Sequence, residues 1–215
     1  MDLRRIDLAM LSPSERSALT RRSVIPDDTI RERAASIVQL VAAGGDAAVE
    51  AAGREYGGGL ADGGVRVPPE RVAGALANLS ARTVAALQAA IANIRLVHEQ
   101  QRPQDDLVYP VPGVEIARVW SPLRRVGVYA PGGRAAYPSS VLMGVVPSHV
   151  DGVERFAVVS PAVPDVLIDQ TTLGDAALLG IDEVFALGGA QAIEALAYGT
   201  ETIPPVDMIV GPGND

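Results

Sequence analysis

Four short apolar segments in the second half of the chain constrain its fold more than any other feature. Connecting segments of helical character, at about 138–150, 165–179 and 190–199, separate them. Strands that are apolar on both faces are typical of a buried parallel sheet, and helical connections of this length favour right-handed crossovers. The sequence therefore predicts a parallel α/β unit of the order βαβαβαβ. Its strands are RVGVYA at 125–130, RFAVVS at 155–160, EVFAL at 183–187 and VDMIV at 206–210.

Each of these predicted strands ends in a turn that the backbone can bend sharply. The turns are Ala130-Pro131-Gly132-Gly133, Ser160-Pro161-Ala162, Gly188-Gly189-Ala190-Gln191 and Gly211-Pro212-Gly213-Asn214. In a parallel sheet the carboxyl ends of the strands share one edge, which is where open α/β folds bind ligands. Glycines allow a close backbone approach there, although none of the turns matches GxGxxG. We expect a crevice of nucleotide size at this edge.

The first 120 residues show a different pattern, which indicates a mainly helical region. Apolar spacing and capping residues predict helices that begin at Asp28, at Asp46, after Pro68-Pro69 and at Ser80, the first ending at Gly44-Gly45 and the last near Gln101. The segment 105–120 is predicted to form one irregular strand or a short hairpin. We expect an arm over 1–25, a mainly helical region over 26–120 and the parallel unit over 121–215.

The apolar stripes of these N-terminal helices lack an obvious partner. The only regular sheet predicted in the chain is already flanked by its own crossover helices. We therefore expect the N-terminal half to be under-buried, and the protein to be marginally stable or to associate through this face.

Charge and hydropathy exclude several classes of partner. The chain has 18 basic and 26 acidic side chains, a net charge of −8, and 48% hydrophobic residues. A negative field repels phosphate backbones and anionic lipid heads, which argues against nucleic acid and membrane partners. The N-terminal stretch has no apolar core of signal-peptide length, and no apolar run approaches membrane-spanning length. We expect a cytoplasmic protein that binds a small molecule.

The residue types that are missing limit the chemistry further. There is no cysteine and no lysine, which excludes a thiol nucleophile, Schiff-base chemistry and the GxxxxGK[ST] phosphate loop. The only histidines are His98, which we expect to be packed or capping, and His149, which we expect to be solvated. No GxSxG motif or serine–histidine constellation supports a hydrolase.

Three long motifs and a helix resemble one enzyme family. They are GVYAPGGRAAYPSSVLMGVVP at 127–147, GGAQAIEALAYGTETIP at 188–204 and VDMIVGPGN at 206–214, with AIANIRLVHEQQRP at 90–103. In this order they resemble histidinol dehydrogenase. The resemblance implies a Rossmann-like fold, NAD as cofactor, a catalytic zinc ion, and oxidation of L-histidinol through the aldehyde to L-histidine in histidine biosynthesis. It also implies a homodimer, and a helical first half that belongs to an incomplete second α/β domain.

The same resemblance assigns three cofactor-binding residues. They are Tyr129 in VYAPGG, Gln191 in GGAQAI and Asn214 in GPGN, each in one of the strand-end turns. The family's catalytic Glu-His pair and its zinc ligands lie beyond GPGN, so no catalytic or metal residue is assigned within these 215 residues. We expect this chain to carry the NAD-contacting half of the enzyme and to be inactive by itself.

Two functions stay open at this point. The chain is either the NAD-contacting half of a histidinol dehydrogenase, active only with the missing half, or a truncated, non-catalytic nucleotide-binding or interaction module. An open reading frame downstream that encodes the Glu-His and zinc-ligand motifs would favour the first.

Overall fold

A computed structural model of the chain describes residues 5–20, 28–56, 58–60, 63–132, 137–162 and 168–212. The helices are α1 Pro13–Thr20, α2 Asp28–Tyr56, α3 Pro69–Ala73, α4 Ala81–Glu99, α5 Pro138–Val150, α6 Gln170–Leu178 and α7 Gly189–Tyr198, with 3-10 turns at Leu8–Met10 and Ala75–Asn78. The strands are β1 Asp106–Val111, β2 Val114–Arg118, β3 Arg125–Tyr129, β4 Arg155–Ser160, β5 Val184–Ala186 and β6 Met208–Val210. None of the described helices is long and apolar enough to cross a membrane.

The second half of the chain forms the predicted parallel sheet. Its strand order is β5-β4-β3-β6, and each neighbouring pair is parallel. The first strand of this sheet, β3, therefore lies in its interior. The chain continues outward through β4 to β5, and then returns to place β6 on the other side of β3. The order reverses between β3 and β6. This confirms the βαβαβαβ unit and fixes the point where an open α/β sheet binds its ligand, beside the carboxyl ends of β3 and β6.

Alternate residues of the central strands bury against two different layers. Val126 and Val128 of β3 join the core cluster that contains side chains of α5 and α6, whereas Ala157 and Val159 of β4 join the cluster formed with α7 and α2. Successive side chains of a strand point to opposite faces, so a nearly continuous apolar segment is needed to fill both layers.

The N-terminal helices pack on the helices of the sheet, which the sequence did not predict. Val41 and Val49 of α2 are buried with α7, and Val72 of α3 lies in the core cluster with α6. α4 packs against α5. The expectation that these stripes find no partner within the chain is therefore wrong at their buried positions, whereas the exposed Ile30, Leu40 and Leu96 agree with the expected under-burial of the N-terminal half.

The predicted helix boundaries at Gly44-Gly45 and Ser80 are correct. Gly45 has φ 52° and ψ −139°, a conformation that breaks α2 into two helical segments. Ser80 caps α4, because its hydroxyl accepts the backbone N–H of Thr83 at 3.0 Å. Asp46 does not cap the second helical segment as predicted. Its carboxylate instead accepts the backbone N–H and the hydroxyl of Thr202, which joins α2 to the loop before β6.

The segment 65–67 covers the β5 edge of the sheet. The N–H of Val67 donates to the carbonyl of Val184 at 2.8 Å, and the N–H of Ala186 donates to the carbonyl of Val65 at 2.7 Å. The bridge between Arg66 and Phe185 is antiparallel. This pairing satisfies backbone groups that an open edge strand would expose.

Residues 106–118 form the short hairpin that the sequence left as one of two possibilities. β1 and β2 are antiparallel, and both strands are exposed along their length. Their large apolar side chains accordingly face solvent in this structure: Leu107, Val108, Tyr109, Val111, Val114 and Ile116.

Candidate functional site

The carboxyl ends of β3, β4, β5 and β6 form the candidate site. Tyr129 ends β3, and Gln191 lies in the first turn of α7, which follows β5. The phenolic oxygen of Tyr129 accepts a hydrogen bond of 3.4 Å from the N–H of Gly189. Two of the three predicted cofactor residues therefore belong to turns that touch. The third, Asn214, lies outside the described residues.

Gln191 has an unmet hydrogen-bond donor. Its side chain is 1% exposed, and its Nε2 atom is buried without a hydrogen-bond partner. The side chain folds back over the helix start, because a Cβ atom built on Gly189 would lie 2.8 Å from the Gln191 Oε1. A buried amide donor left unpaired is costly, so this group at the ligand-binding edge of the sheet is a candidate contact for a ligand or a water molecule.

Three glycines allow the turns of this edge to approach each other closely. A Cβ atom on Gly132 would lie 2.8 Å from the carbonyl oxygen of Pro161, and one on Gly188 would lie 2.7 Å from the Pro161 Cβ. A Cβ atom on Gly211 would overlap the carbonyl oxygen of Tyr129. The last contact lies at the reversal of strand order, between β3 and β6. These positions exclude side chains and bring the backbone of neighbouring turns close together at this edge.

The helix starts at this edge differ in whether a side chain caps them. Asp169 caps α6, because its carboxylate accepts the N–H groups of Thr171 and Thr172 at 2.7 and 3.4 Å. The N-cap residues of α5 and α7 make no side-chain cap, and at the start of α7 the Tyr129 hydroxyl accepts the N–H of Gly189. Uncapped N–H groups at a helix start favour an anionic group such as a pyrophosphate. The starts of α5 and α7 are therefore less fully capped than the start of α6.

The groups at this edge fit a dinucleotide. The unpaired Gln191 amide, the half-buried Tyr129 ring and the glycine-lined backbone supply a donor, a flat apolar surface and room for close approach. The described residues do not fit a zinc site, because among them no group of three or more His, Cys, Asp or Glu side chains could hold a metal ion.

The amino ends of the strands carry clefts of a different character. One cleft of about 680 Å³ is lined in part by Trp120, Leu123 and Met208, and a neighbouring one of about 660 Å³ by charged side chains of both signs. Neither Tyr129 nor Gln191 lines either of these clefts. We assign the site to the carboxyl edge because the unmatched donor, the close backbone approaches and the reversal of strand order coincide there.

Neither histidine belongs to the candidate site. His149 is half-buried, contrary to the expectation that it is solvated, and its ring stands edge-on to Phe156 with centroids 4.6 Å apart. Burial, with a smaller contribution from Arg95, lowers the pKa of His149 below its usual value. His98 is also half-buried, on α4. Sequence reasoning about His149 failed because its partner Phe156 lies on β4 and is not visible from helix position.

The strand order and the glycine-lined edge define a class of protein, the Rossmann-like α/β fold. The family model for histidinol dehydrogenase matches residues 20–215. By this match the chain belongs to the histidinol dehydrogenase family.

Individual relatives agree with this assignment. Histidinol dehydrogenase of Streptomyces avermitilis is 43% identical over 217 residues, which cover 98% of this chain and 48% of that protein. The enzyme of Halobacterium salinarum is 45% identical over 210 residues, with 96% and 48% covered. A crystal structure of histidinol dehydrogenase from Elizabethkingia anophelis superposes with a TM-score of 0.84 at 30% identity, covering 95% of this chain and 47% of that one. The chain thus spans about half the length of the curated relatives it matches.

Proposed function

We propose that this chain supplies the NAD-binding half of a histidinol dehydrogenase, the enzyme that oxidises L-histidinol through L-histidinaldehyde to L-histidine. The observation that carries the proposal is the unpaired, buried Nε2 of Gln191 in the first turn of α7, whose Gly189 N–H is bonded to the Tyr129 hydroxyl at the carboxyl edge of the sheet. NAD, when bound, accepts the hydride that leaves the substrate.

The residues of this chain have binding roles in the proposal. Gln191 donates a hydrogen bond to the cofactor, the ring of Tyr129 packs against it, and Asn214 contributes an amide from the GPGN turn. The uncapped start of α7 faces the anionic part of the dinucleotide. The zinc ion and the acid–base groups of the family reaction are not assigned to any residue here, and no step through them is derived.

The wider properties of the proposed enzyme follow the family. We place it in the cytoplasm as a homodimer, with an arm over 1–25, a helical part of a first domain over 26–120 and the NAD-binding domain over 121–215. A net charge of −8 supports a small-molecule substrate rather than a nucleic acid.

Titration of NAD into the purified 215-residue chain tests the proposal. We expect binding, and we expect Gln191→Met to weaken it about tenfold, the effect of one lost hydrogen bond of about 1.4 kcal/mol. Tyr129→Phe, which keeps the ring, should weaken it less than Tyr129→Ala. His98→Ala on α4 is the control and should bind as the unchanged chain does.

The same preparation separates the two open functions. We expect no NADH production from histidinol and zinc, and production once a polypeptide carrying the remaining half of the family sequence is added. A chain that binds NAD but is never activated by that half would be a non-catalytic binding module. A chain to which NAD does not bind would contradict the proposed function and leave the interaction module.

A further inference from the structure

Pro161 stands between the two turns that carry the proposed cofactor residues. It follows the last residue of β4, which lies between β3 and β5 in the sheet. On one side it meets Gly132, three residues after Tyr129, and on the other it meets Gly188, three residues before Gln191. A single residue therefore spaces the turn after β3 from the start of α7.

Glycine is required at position 188 by the space that Pro161 leaves there and not by the backbone conformation. Gly188 has φ −137° and ψ −179°, an extended backbone that any residue adopts. A Cβ atom there would lie 2.7 Å from the Pro161 Cβ, 3.3 Å from its Cγ and 3.4 Å from its Cα. Separations below 3.0 Å require something to move, so a methyl group on Gly188 must push the start of α7 away from Pro161.

The opposite contact involves the Pro161 backbone. A Cβ atom on Gly132 would lie 2.8 Å from the Pro161 carbonyl oxygen, and 3.1 Å from its Cγ. Removing the ring cannot relieve a clash with the carbonyl oxygen. Removing the Pro161 side chain should therefore relieve the clash of an alanine at position 188. It should not relieve the clash of an alanine at position 132.

We infer that Pro161 is a positioning residue that sets the distance between Tyr129 and Gln191 for cofactor binding. The inference rests on the proposed function, since it concerns the same edge of the sheet. The packed ring holds the start of α7, and the hydrogen bond from the Gly189 N–H to the Tyr129 hydroxyl closes the two turns on the other side. Binding contacts need this kind of support, because small displacements of their groups weaken binding strongly.

The test measures NAD affinity of the 215-residue chain and its variants by calorimetric titration. We expect Gly188→Ala to weaken NAD binding about tenfold, and Pro161→Gly in the same chain to restore most of the loss. Pro161→Ala keeps the Cβ that collides, so the pair of Gly188→Ala with Pro161→Ala should stay weak. Gly132→Ala should weaken binding and should not be rescued by Pro161→Gly.

Thermal unfolding of every variant separates positioning from lost stability. Val145→Ala, in the buried core of α5, serves as the destabilised control, with a lower Tm and unchanged NAD affinity. The inference is overturned if Gly188→Ala binds NAD as the unchanged chain does, or if Pro161→Ala rescues it as well as Pro161→Gly. If NAD does not bind to the unchanged chain, the proposed function fails and this inference fails with it; if NAD binds but the rescue pattern is absent, only the inference fails.

Discussion

The two ends of the parallel sheet differ in how far their buried polar groups are paired. At the amino ends, Arg125 is 8% exposed and its two terminal guanidinium nitrogens form an ion pair with Glu183, although its Nε atom is buried without a partner, while Asp207 accepts the backbone N–H groups of Arg124 and Arg125. At the carboxyl ends, Gln191 is buried with an unpaired donor. The ion pair at the amino end stabilises the fold, whereas the Gln191 side chain at the carboxyl end makes no such pair and lies at the edge where open α/β sheets bind ligands.

The largest expected effect tests the paired end. Glu183→Ala leaves the buried Arg125 charge without its partner, and we expect it to lower the free energy of unfolding by about 3 kcal/mol, at the low end for buried pairs because Glu183 is partly exposed. Urea unfolding measures this. NAD affinity should not change, because the ion pair lies at the opposite end of the sheet.

Glu154→Ala provides the control, since Glu154 is exposed and lines the same cleft. It should change stability by less than about 0.5 kcal/mol. Equal losses in the two variants would mean that the ion pair contributes no more than a surface charge.

Asp175 provides a second case of a buried polar group without a hydrogen-bond partner. It lies in α6, whereas Tyr129 ends β3 and Gln191 lies in α7. Both of its carboxylate oxygens are buried without a hydrogen-bond partner. Burial, with a smaller contribution from Asp169, raises the pKa of Asp175 to about 8. The folded state therefore keeps a proton that the unfolded state, with an ordinary pKa of about 3.9, has lost.

This difference fixes the sign of a pH effect. Between about pH 4 and pH 8 the folded protein binds the extra proton, so its stability falls as the pH rises through that window. We expect Asp175→Ala to raise the free energy of unfolding at pH 8 by about 2 kcal/mol, with the gain shrinking toward pH 4. Asp182→Ala, at an exposed position, should show no such trend.

The same variant separates two meanings of an unpaired polar group. Asp175→Ala should leave NAD affinity unchanged, whereas Gln191→Met should lower it at little cost in stability. A loss of NAD binding in Asp175→Ala would remove the distinction between a ligand-binding donor and a buried carboxyl that only destabilises.

Local sequence patterns predicted the elements, and they failed for contacts between distant segments. The period of apolar residues located the parallel strands, and the strand-end glycines located the edge where Tyr129 contacts Gly189 at the start of α7. Nothing in the local pattern predicted the antiparallel pairing of Val67 with β5, because a three-residue segment has no measurable period. The role of Pro161 was missed for the same reason, since it depends on two glycines about 30 residues away in each direction.

The smallest expected effect concerns the loop between α7 and β6. It tests whether the hydrogen bonds between this loop and Asp46 of α2 stabilise the fold. The Asp46 carboxylate accepts two hydrogen bonds from Thr202, and Glu201 accepts the N–H of Asp46 at 2.8 Å. Burial raises the pKa of Asp46, but hydrogen bonds from Thr200 and Thr202 outweigh it, so the pKa lies below its usual value. Stability from this carboxylate is thus present above about pH 4 and is lost as the pH falls through the lowered folded-state pKa.

Thr202→Val removes the hydroxyl donor and keeps the shape of the side chain. We expect it to lower the free energy of unfolding at pH 7 by about 1 kcal/mol, and the difference from the unchanged chain to disappear as the pH falls through the lowered pKa of Asp46. Thr171→Val is the control, because Thr171 takes part in the cap of α6 through its backbone N–H, and it should show no pH-dependent difference. A loss in Thr202→Val that persisted unchanged after Asp46 is protonated would show that the hydroxyl acts through packing, because protonated Asp46 no longer offers the charged acceptor that makes this hydrogen bond favourable.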